Sequence, residues 1–507
     1  MPQSQSQTIP HFLDGLNTNL SPFLMSDNTL SVLENCLISF KLGTITKDTG
    51  YVKVKTTIEA GKSILGLHNF RQVAATQKML ATVDDSTSDD TQLWYYDGSA
   101  NWTEITAAET AWANKATINV EMEDFLTYCF FVGWGSTDGF ISPRTLTGTT
   151  LGTTNTTSMP NAKYIKRYRD RLYIANTDIS GTATPYRVYY SSAPSGTTIT
   201  WDTTNNFIDV DYSEALMGIG ENWDRIFFFT EYSTYMYDQN QIKKVWDIGT
   251  TNHRTIRNAG IYMIWANNDG VWISKRLSEP QNIADPIKDF IRAATMSNAF
   301  AEVVDEEYWL YLGTVTVNGI TYTNTALVFN IPTQSWRIRT FYDTITIFGL
   351  YRSFSSHAGK GNRLFMGDTD GMVQDKSKYS DTTVYHSDAA VSTTTDGVPI
   401  HSRFITKPFQ FGSPSLNIDI VKLTAYAERA QGLTLYARVI RDYPNIRTKI
   451  APTELMELKQ FITQKDIKIK AGSFIEIIGV ENGKFPYWQF WGMTTELQLH
   501  STKKTTK

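Results

Sequence analysis

The sequence predicts an all-β fold: a β-propeller of six or seven blades joined to a second, sandwich-like β platform domain. Three observations predict it. Aromatic residues make up 13% of the 507 residues and charged residues only 19%, with abundant Thr, a composition that suits pleated, half-buried strands. Apolar-aromatic runs alternate with turn clusters for roughly three hundred residues, the texture of a radial array of small sheets. The same local unit also recurs. LWYYDGSANW sets Trp102 nine residues after Leu93, and LVFNIPTQSW sets Trp336 nine residues after Leu327. YMYDQNQIKKVW is a longer version ending at Trp246. In each, a strand and a turn lead to an indole that opens the next element and packs over the next blade, hiding the sheet edges.

The elements follow in order. The polar start, MPQSQSQT, is expected to be unordered, and residues 14–51 form a Gly- and Asn-punctuated arm. Residues 1–55 are assigned to the platform, 56–375 to the propeller, 376–400 to a polar linker and 401–507 to the rest of the platform. Propeller strands are read in SILGLHNF, KMLATV, QLWYYD, ATINVEM and FLTYCFFVG. They continue in AKYIKRYRDRLYIAN, YRVYYSS, ALMGIGENWDRIFFFTE, STYMYDQ and GIYMIWANNDGVWISK, and end with AEVVDEEYWLYLGT, ALVFNIPTQSWRIRTF, FGLYRSF and NRLFMGDTDGMVQ. Asp-Gly and Asn-Asp-Gly steps join several of them as hairpins. One helix interrupts, with Asp285 as N-cap, Pro286 at the first helical position and Ile287, Phe290, Ile291 and Ala294 on one apolar face. Platform strands are read in SRFITKPFQFG, NIDIVKLTAYAE, LTLYARVIRD, SFIEIIGVE and YWQFWGMTTELQLH, packed sheet on sheet.

Composition excludes several functions. A net charge of −4 argues against a protein that coats nucleic acid through a basic face. Cys36 and Cys129 stand far apart, which excludes a disulfide scaffold and a cysteine-rich zinc site, and each is read as a small buried residue. The start lacks the basic and apolar regions of a secretory signal, and no apolar run of ~18 residues spans a membrane. The chain reads as a soluble product of a reducing cytoplasm.

No motif carries chemistry. EAGKS at 59–63 lacks the upstream glycine of a phosphate loop and is a connecting loop. Trp201-Asp202, Trp223-Asp224 and Trp246-Asp247 recur at half the period of tryptophan–aspartate repeats and are strand ends. ANNDGVWIS is a hairpin rather than a sialidase aspartate box, because Asp269 and Gly270 are adjacent. GDTDG at 367–371 lacks the downstream acid of a calcium loop. Two acidic clusters, Glu121, Glu123, Asp124 and Asp305, Glu306, Glu307, are read as solvated charge at strand ends rather than a glycosidase pair. No Gly-x-Ser-x-Gly elbow occurs, and His11, His68, His253, His357, His386, His401 and His500 lack metal-ligand spacing. KYIKRYRDR at 163–171 interleaves basic and aromatic residues, a pattern that either contacts nucleic acid or marks an amphipathic strand beside a turn. No catalytic, cofactor or metal residue is predicted, and the protein is expected not to be an enzyme.

The order of several segments resembles the tail-hub or nozzle proteins of short-tailed bacteriophages. The likeness lies in the arm FLDGLNTNLSPFLMSDNTLSVLENCLISFKLGTITKDTGY and in YIKRYRDRLYIAN followed by YRVYYSSAP. It continues through GIGENWDRIFFFTEYSTYMYD, PIKDFIRAA, VDEEYWLYL, ALVFNIPTQSW and LFMGDTDGMV to FWGMTTELQLHS. The pattern is apolar and degenerate, with no invariant signature. The resemblance implies a virion structural protein made in the host cytoplasm. It would form a ring of copies, commonly six, around the DNA exit channel below the portal and adaptor, helping to retain and eject the genome. Its implied partners are other copies of itself, tail and adaptor proteins and tail fibres, with DNA passing unbound. The alternative from composition is a propeller that binds or hydrolyses host surface glycan, since Trp and Tyr are plentiful for stacking on sugars.

Overall fold

The computed structural model describes residues 4–9, 11–20, 24–39, 43–71, 77–85, 89–98, 101–352, 362–376, 387–388, 398–409, 417–428, 432–440, 452–458, 462–471, 474–481 and 488–500. Most of the expected 376–400 linker lies outside them. The fold is all-β and propeller-like, built from many small antiparallel sheets. Among the described residues the α-helices are Ala107–Ala111 and Lys288–Ala293, and no helix is long and apolar enough to cross a membrane.

Seven sheets follow one another between residues 64 and 376, and each begins with the strand that touches its neighbours' first strands. Those first strands are Ile64–Phe70, Asn119–Phe125, Asn161–Tyr168, Gly218–Asn222, Arg257–Ala259, Phe300–Val304 and Ile345–Arg352. The last packs back on the first, so the series closes on itself. Two glycines permit this closure. A Cβ on Gly349 would lie 2.7 Å from the Leu67 Cβ, and one on Gly367 would lie 2.5 Å from the Ile64 Cβ. The outer strand of the seventh sheet is Val52–Lys53, supplied by the arm and paired with Val373–Lys376. The expected boundary at 55/56 therefore leaves one strand of the seventh sheet on the arm's side.

Alternation along the strands puts apolar side chains between adjacent sheets. Phe70, Leu80, Ile118 and Phe131 fill the space between the first and second, and Ile165, Ile174, Phe130 and Val132 that between the second and third. Indoles bridge sheets as the repeated unit suggested, though not always toward the next one. Trp246 stacks between Phe227 of its own sheet and Trp265 of the next, at 5.4 and 5.7 Å. Trp102 instead donates to the Val54 carbonyl at 3.0 Å, beside the outer strand of the seventh sheet, and Trp336 to the Ile283 carbonyl at 2.8 Å. Hairpins close through tight turns with residues other than glycine. Trp223 and Asp224, and Asp305 and Glu306, all adopt positive φ, the signature of a type I′ turn.

The sixth sheet does not end at its fourth strand. Ser335–Thr340 pairs with Thr29–Glu34 of the arm, which pairs with Ser402–Thr406, and the ladder continues through Phe474–Glu481, Leu433–Ile440 and Thr453–Glu457. A second sheet combines Cys36–Ile38 and Ile45–Lys47 of the arm with Gln489–His500, Asn417–Glu428 and Ile462–Ala471. Phe12, Phe404, Trp488 and Phe490 are in ring contact where the two sheets meet. The start departs from expectation: Ser4–Ile9 is a strand paired with residues 493–498. Its backbone is satisfied by an edge ladder that polar composition cannot advertise. The strands Thr453–Glu457 and Ile462–Ala471 were also absent from the sequence reading.

Charges buried between these parts join them. Asp48 accepts from Arg337 Nη1 and Lys376 Nζ, both at 2.9 Å, and lies 3.5 Å from Arg339 Nε. Arg337 also reaches Glu307 at 3.0 Å, and Lys47 pairs with Glu481 at 2.7 Å with both side chains fully buried. Burial alone would raise the Asp48 carboxyl, yet Lys376, Arg337 and Arg339 together hold it well below the usual carboxylate range. Glu307 was expected to be solvated turn charge and is instead part of this buried cluster, while its neighbours Asp305 and Glu306 do form the turn.

The interrupting helix keeps its apolar face: Ile287, Phe290 and Ile291 are buried. Its start is different. Asp285 to Ile287 form a 3-10 turn, the helix proper runs Lys288–Ala293, and Asp285 makes no side-chain cap.

Candidate functional site

The seven first strands converge on a cavity of ≈ 500 Å³, to which every one of the seven sheets contributes. It is a charged space. Glu121, Glu123, Asp124, Glu221 and Glu302 face it, as do Arg71, Lys166, Arg167, Arg254 and Arg257, together with His68 and His253. The first acidic cluster is thus not solvated charge at a strand end. Glu121, Glu123 and Asp124 lie along Asn119–Phe125, inside the ring. Strand alternation splits them. Glu121 and Glu123 share one face of the strand, whereas Asp124 continues the row of Val120 and Met122, which packs into the interface with the first sheet.

Most of these charges neutralise one another. Glu121 accepts from Arg254 Nε at 3.0 Å, Glu123 from Lys166 at 3.0 Å and Glu302 from Arg257 at 3.3 Å; His68 Nε2 and Asp124 Oδ1 are 2.8 Å apart. Burial alone would raise Glu121, but Arg254 and His253 outweigh it and hold the carboxyl below its ordinary value. Burial pushes His253 down to about 4, only partly opposed by Glu121, so the ring is neutral at pH 7. His68 goes the other way: burial lowers it, but Asp124 more than compensates and raises it. Glu221 is the exception. Burial raises its carboxyl, Lys166 only partly offsets this, and its side chain makes no hydrogen bond among the described residues.

Arg254 spans the ring. It starts from the short 3-10 turn His253–Thr255, reaches Glu121 on the second sheet and donates through Nη2 to the Leu65 carbonyl of the first at 2.8 Å. A second cavity, of ≈ 420 Å³, is lined by Glu121, His253 and Arg254 as well as by Trp134, Lys163 and Tyr164. The Glu121–Arg254 pair is therefore common to the walls of both cavities.

The motifs singled out in the sequence lie elsewhere or are already satisfied. Lys62 of EAGKS pairs with Asp84 at 2.8 Å. In ANNDGVWIS the Asn267 side chain accepts from the amides of Asp269 and Gly270 and from the Trp272 indole, closing the hairpin. Asp368 of GDTDG accepts from the amides of Asp370 and Met372 and from Gln374, which occupies both its oxygens. The basic segment 163–171 is internally engaged. Lys163 lies 3.7 Å over the Trp134 ring, Lys166 holds Glu123, Arg169 pairs with Asp224 and Arg171 donates to the Ser191 carbonyl. That favours the amphipathic-strand reading over nucleic-acid contact. Cys36 and Cys129 are both buried, as expected. Cys129 nevertheless has polar company. It sits opposite Asp124 in the strand register, and its sulfur lies with His68 and Asp124 in a cluster whose donor atoms are all within 4.8 Å of one another. Sequence spacing had no way to show this, because the three residues come from three strands of two sheets.

No protein-family model and no curated protein matches the chain. Among solved structures, the AfRom2 CNH domain is similar at 8% identity and a TM-score of 0.37, covering 64% of this chain and 99% of that one. Two structures of an exo-β-1,3-galactanase from Phanerochaete chrysosporium are similar at 9% and 10% identity, with TM-scores of 0.23 and 0.24. They cover 89% and 91% of this chain and all of theirs.

Proposed function

We propose that the seven sheets are the blades of a seven-bladed propeller, that the two large sheets are its platform, and that the chain is a virion tail-hub or nozzle protein. In this reading copies assemble into a ring around the DNA exit channel, and the protein acts mechanically, without catalysis. One observation carries it: an arm strand bridges the sixth blade through the pair Glu34–Ile338 and continues into the platform ladder, so both ends of the chain are used where the two meet. That bridge, together with the buried Asp48 and Lys47 ion pairs, ties the two parts to each other, which suits a conduit. The paired charges of the cavity add support, since Glu121, Glu123 and Glu302 each already hold a cation. Electron microscopy of particles and of the purified protein tests the proposal. The expected result is a ring, commonly of six copies, at the tail vertex; a stable monomer missing from particles sinks it.

A second reading rests on Glu221, a carboxyl raised by burial and facing the cavity near Glu123. That is the arrangement a glycosidase uses for its acid. Glycan binding or turnover that disappears in Glu221→Gln while the fold persists would favour it over the mechanical role.

A further inference from the structure

The interface between the first and second sheets is apolar along most of its length, filled by Val120, Met122, Ile118, Phe131 and Leu80. At its cavity end the chemistry changes. Asp124 takes the next place in the Val120–Met122 row, Cys129 lies opposite it in register, and His68 faces both from the first sheet. An imidazole nitrogen, a carboxylate oxygen and a thiol sulfur thus converge, each within 4.8 Å of the others, where neighbouring positions hold hydrocarbon. Placing three polar groups in an apolar seam is costly unless they are satisfied together.

We propose that His68, Asp124 and Cys129 form a binding site for a divalent transition ion of the zinc class, with its fourth position open to the central cavity. The donor set fits. Nitrogen, sulfur and carboxylate oxygen are the ligands that such ions take, and three protein ligands plus one open position make a reactive or exchangeable site rather than a closed structural one. The geometry is close. Zinc bond lengths place tetrahedral donors roughly 3.3–3.8 Å apart. The His68–Asp124 pair at 2.8 Å would open by about half an ångström, and the sulfur would close in. Access and support are present as well. His68 and Asp124 are 23% and 26% exposed on the cavity side, while the second Asp124 oxygen is held by the Arg71 amide at 2.9 Å, which orients the carboxylate. Cys129 is fully buried, which shields the sulfur from bulk solvent. The thiol proton leaves to solvent as the sulfur takes the metal, with no change of oxidation state.

The test uses the full chain, freed of metal by chelation and titrated with Co²⁺, then with Zn²⁺ as competitor. One cobalt ion per chain is expected to produce a thiolate-to-cobalt charge-transfer band that zinc abolishes. Cys36→Ser removes the other buried thiol and should keep the band, whereas Cys129→Ser should lose it. His68→Gln and Asp124→Asn, which face the cavity and leave the hydrocarbon seam intact, should weaken zinc binding at least about 100-fold, beyond the 10–100-fold typical of lost supporting residues. Melting curves of each variant, with and without zinc, separate loss of the site from loss of the fold: zinc should raise the wild-type melting temperature and leave that of His68→Gln unchanged. A wild-type chain that yields neither band nor zinc-dependent stabilisation overturns the proposal, as does a band that survives in Cys129→Ser.

Discussion

Replacing Asp48 with Asn should unlock the arm from the seven-sheet body. The carboxylate is fully enclosed and is the shared anion of Arg337, Lys376 and Arg339, whose side chains are at most 6% exposed. Losing its charge leaves cations in a low-dielectric space with reduced compensation, and breaking a buried pair of this kind costs about 3–5 kcal/mol. Three cations do not triple that cost, because each keeps another partner. Arg337 retains Glu307, Arg339 retains Asn35 and the Thr340 carbonyl, and Lys376 retains Thr49. A chain with several cooperative parts is poorly described by one global unfolding energy, so the local opening of the arm is the quantity to measure. Hydrogen exchange of peptides covering residues 43–53 reports it. At about 1.36 kcal/mol per tenfold, exchange there should accelerate by roughly two to three and a half orders of magnitude. The double variant Asp48→Asn, Lys376→Met should recover part of the loss, since it removes one uncompensated cation. The pH dependence has a definite sign. The folded carboxyl titrates below its unfolded value of about 3.9, so its contribution is complete above that pH and is lost as pH falls toward the folded value. An Asp48→Asn chain whose arm exchanges within threefold of wild type would refute the reasoning.

Three further outcomes follow from other contacts. Glu481→Gln removes the anion paired with the fully buried Lys47 and should destabilise the contact between Ile45–Lys47 and Phe474–Glu481 by about 3–5 kcal/mol, read as faster exchange in residues 474–481. Gly349→Ala sets a methyl 2.7 Å from the Leu67 Cβ, so the seventh and first sheets must part; a cost of about 1–3 kcal/mol should appear in thermal unfolding, with exchange rising in both sheets and not in the fourth. Trp246→Ala empties the space between Phe227 and Trp265 and should cost about 3–5 kcal/mol, with exchange rising on both sides of that interface, whereas Trp223→Ala, on an exposed turn, should cost little.

What the sequence made legible was local. Trp102, Trp246 and Trp336 announced themselves because strand, turn and indole lie within a dozen or so residues, and each does pack across a sheet boundary. Asn267 and Asp368 were readable as turn residues for the same reason: their hydrogen bonds close over two to six positions. The closing strand Val52–Lys53 was hidden, since two residues carry no periodicity and their partner lies more than three hundred positions away. Ser4–Ile9 was hidden because an edge strand needs only its backbone ladder.

The cavity shows why charge is harder to read than hydrophobicity. An apolar side chain is satisfied by any apolar neighbour, so its burial follows from its own strand's alternation. A buried carboxylate needs particular donors, and in this cavity three of them find a cation on another sheet. Glu123 meets Lys166 across 43 positions, Glu302 meets Arg257 across 45, and Glu121 meets Arg254 across 133. Viewed along the chain, Glu121, Glu123 and Asp124 are one acidic run; in the ring they serve two faces and three different partners. That division also determines which charges are open to outside chemistry. Glu121 and Glu123 are committed to cations that hold neighbouring sheets in place, and replacing either would disturb the ring before any ligand arrived. Asp124 is shared only with an imidazole and an amide beside a thiol, and Glu221 has no hydrogen-bonded partner among the described residues. A ligand entering the cavity therefore meets one carboxylate, Glu221, that can respond without giving up a hydrogen bond among the described residues, and a second, Asp124, that responds by exchanging its contact with His68 of the first sheet.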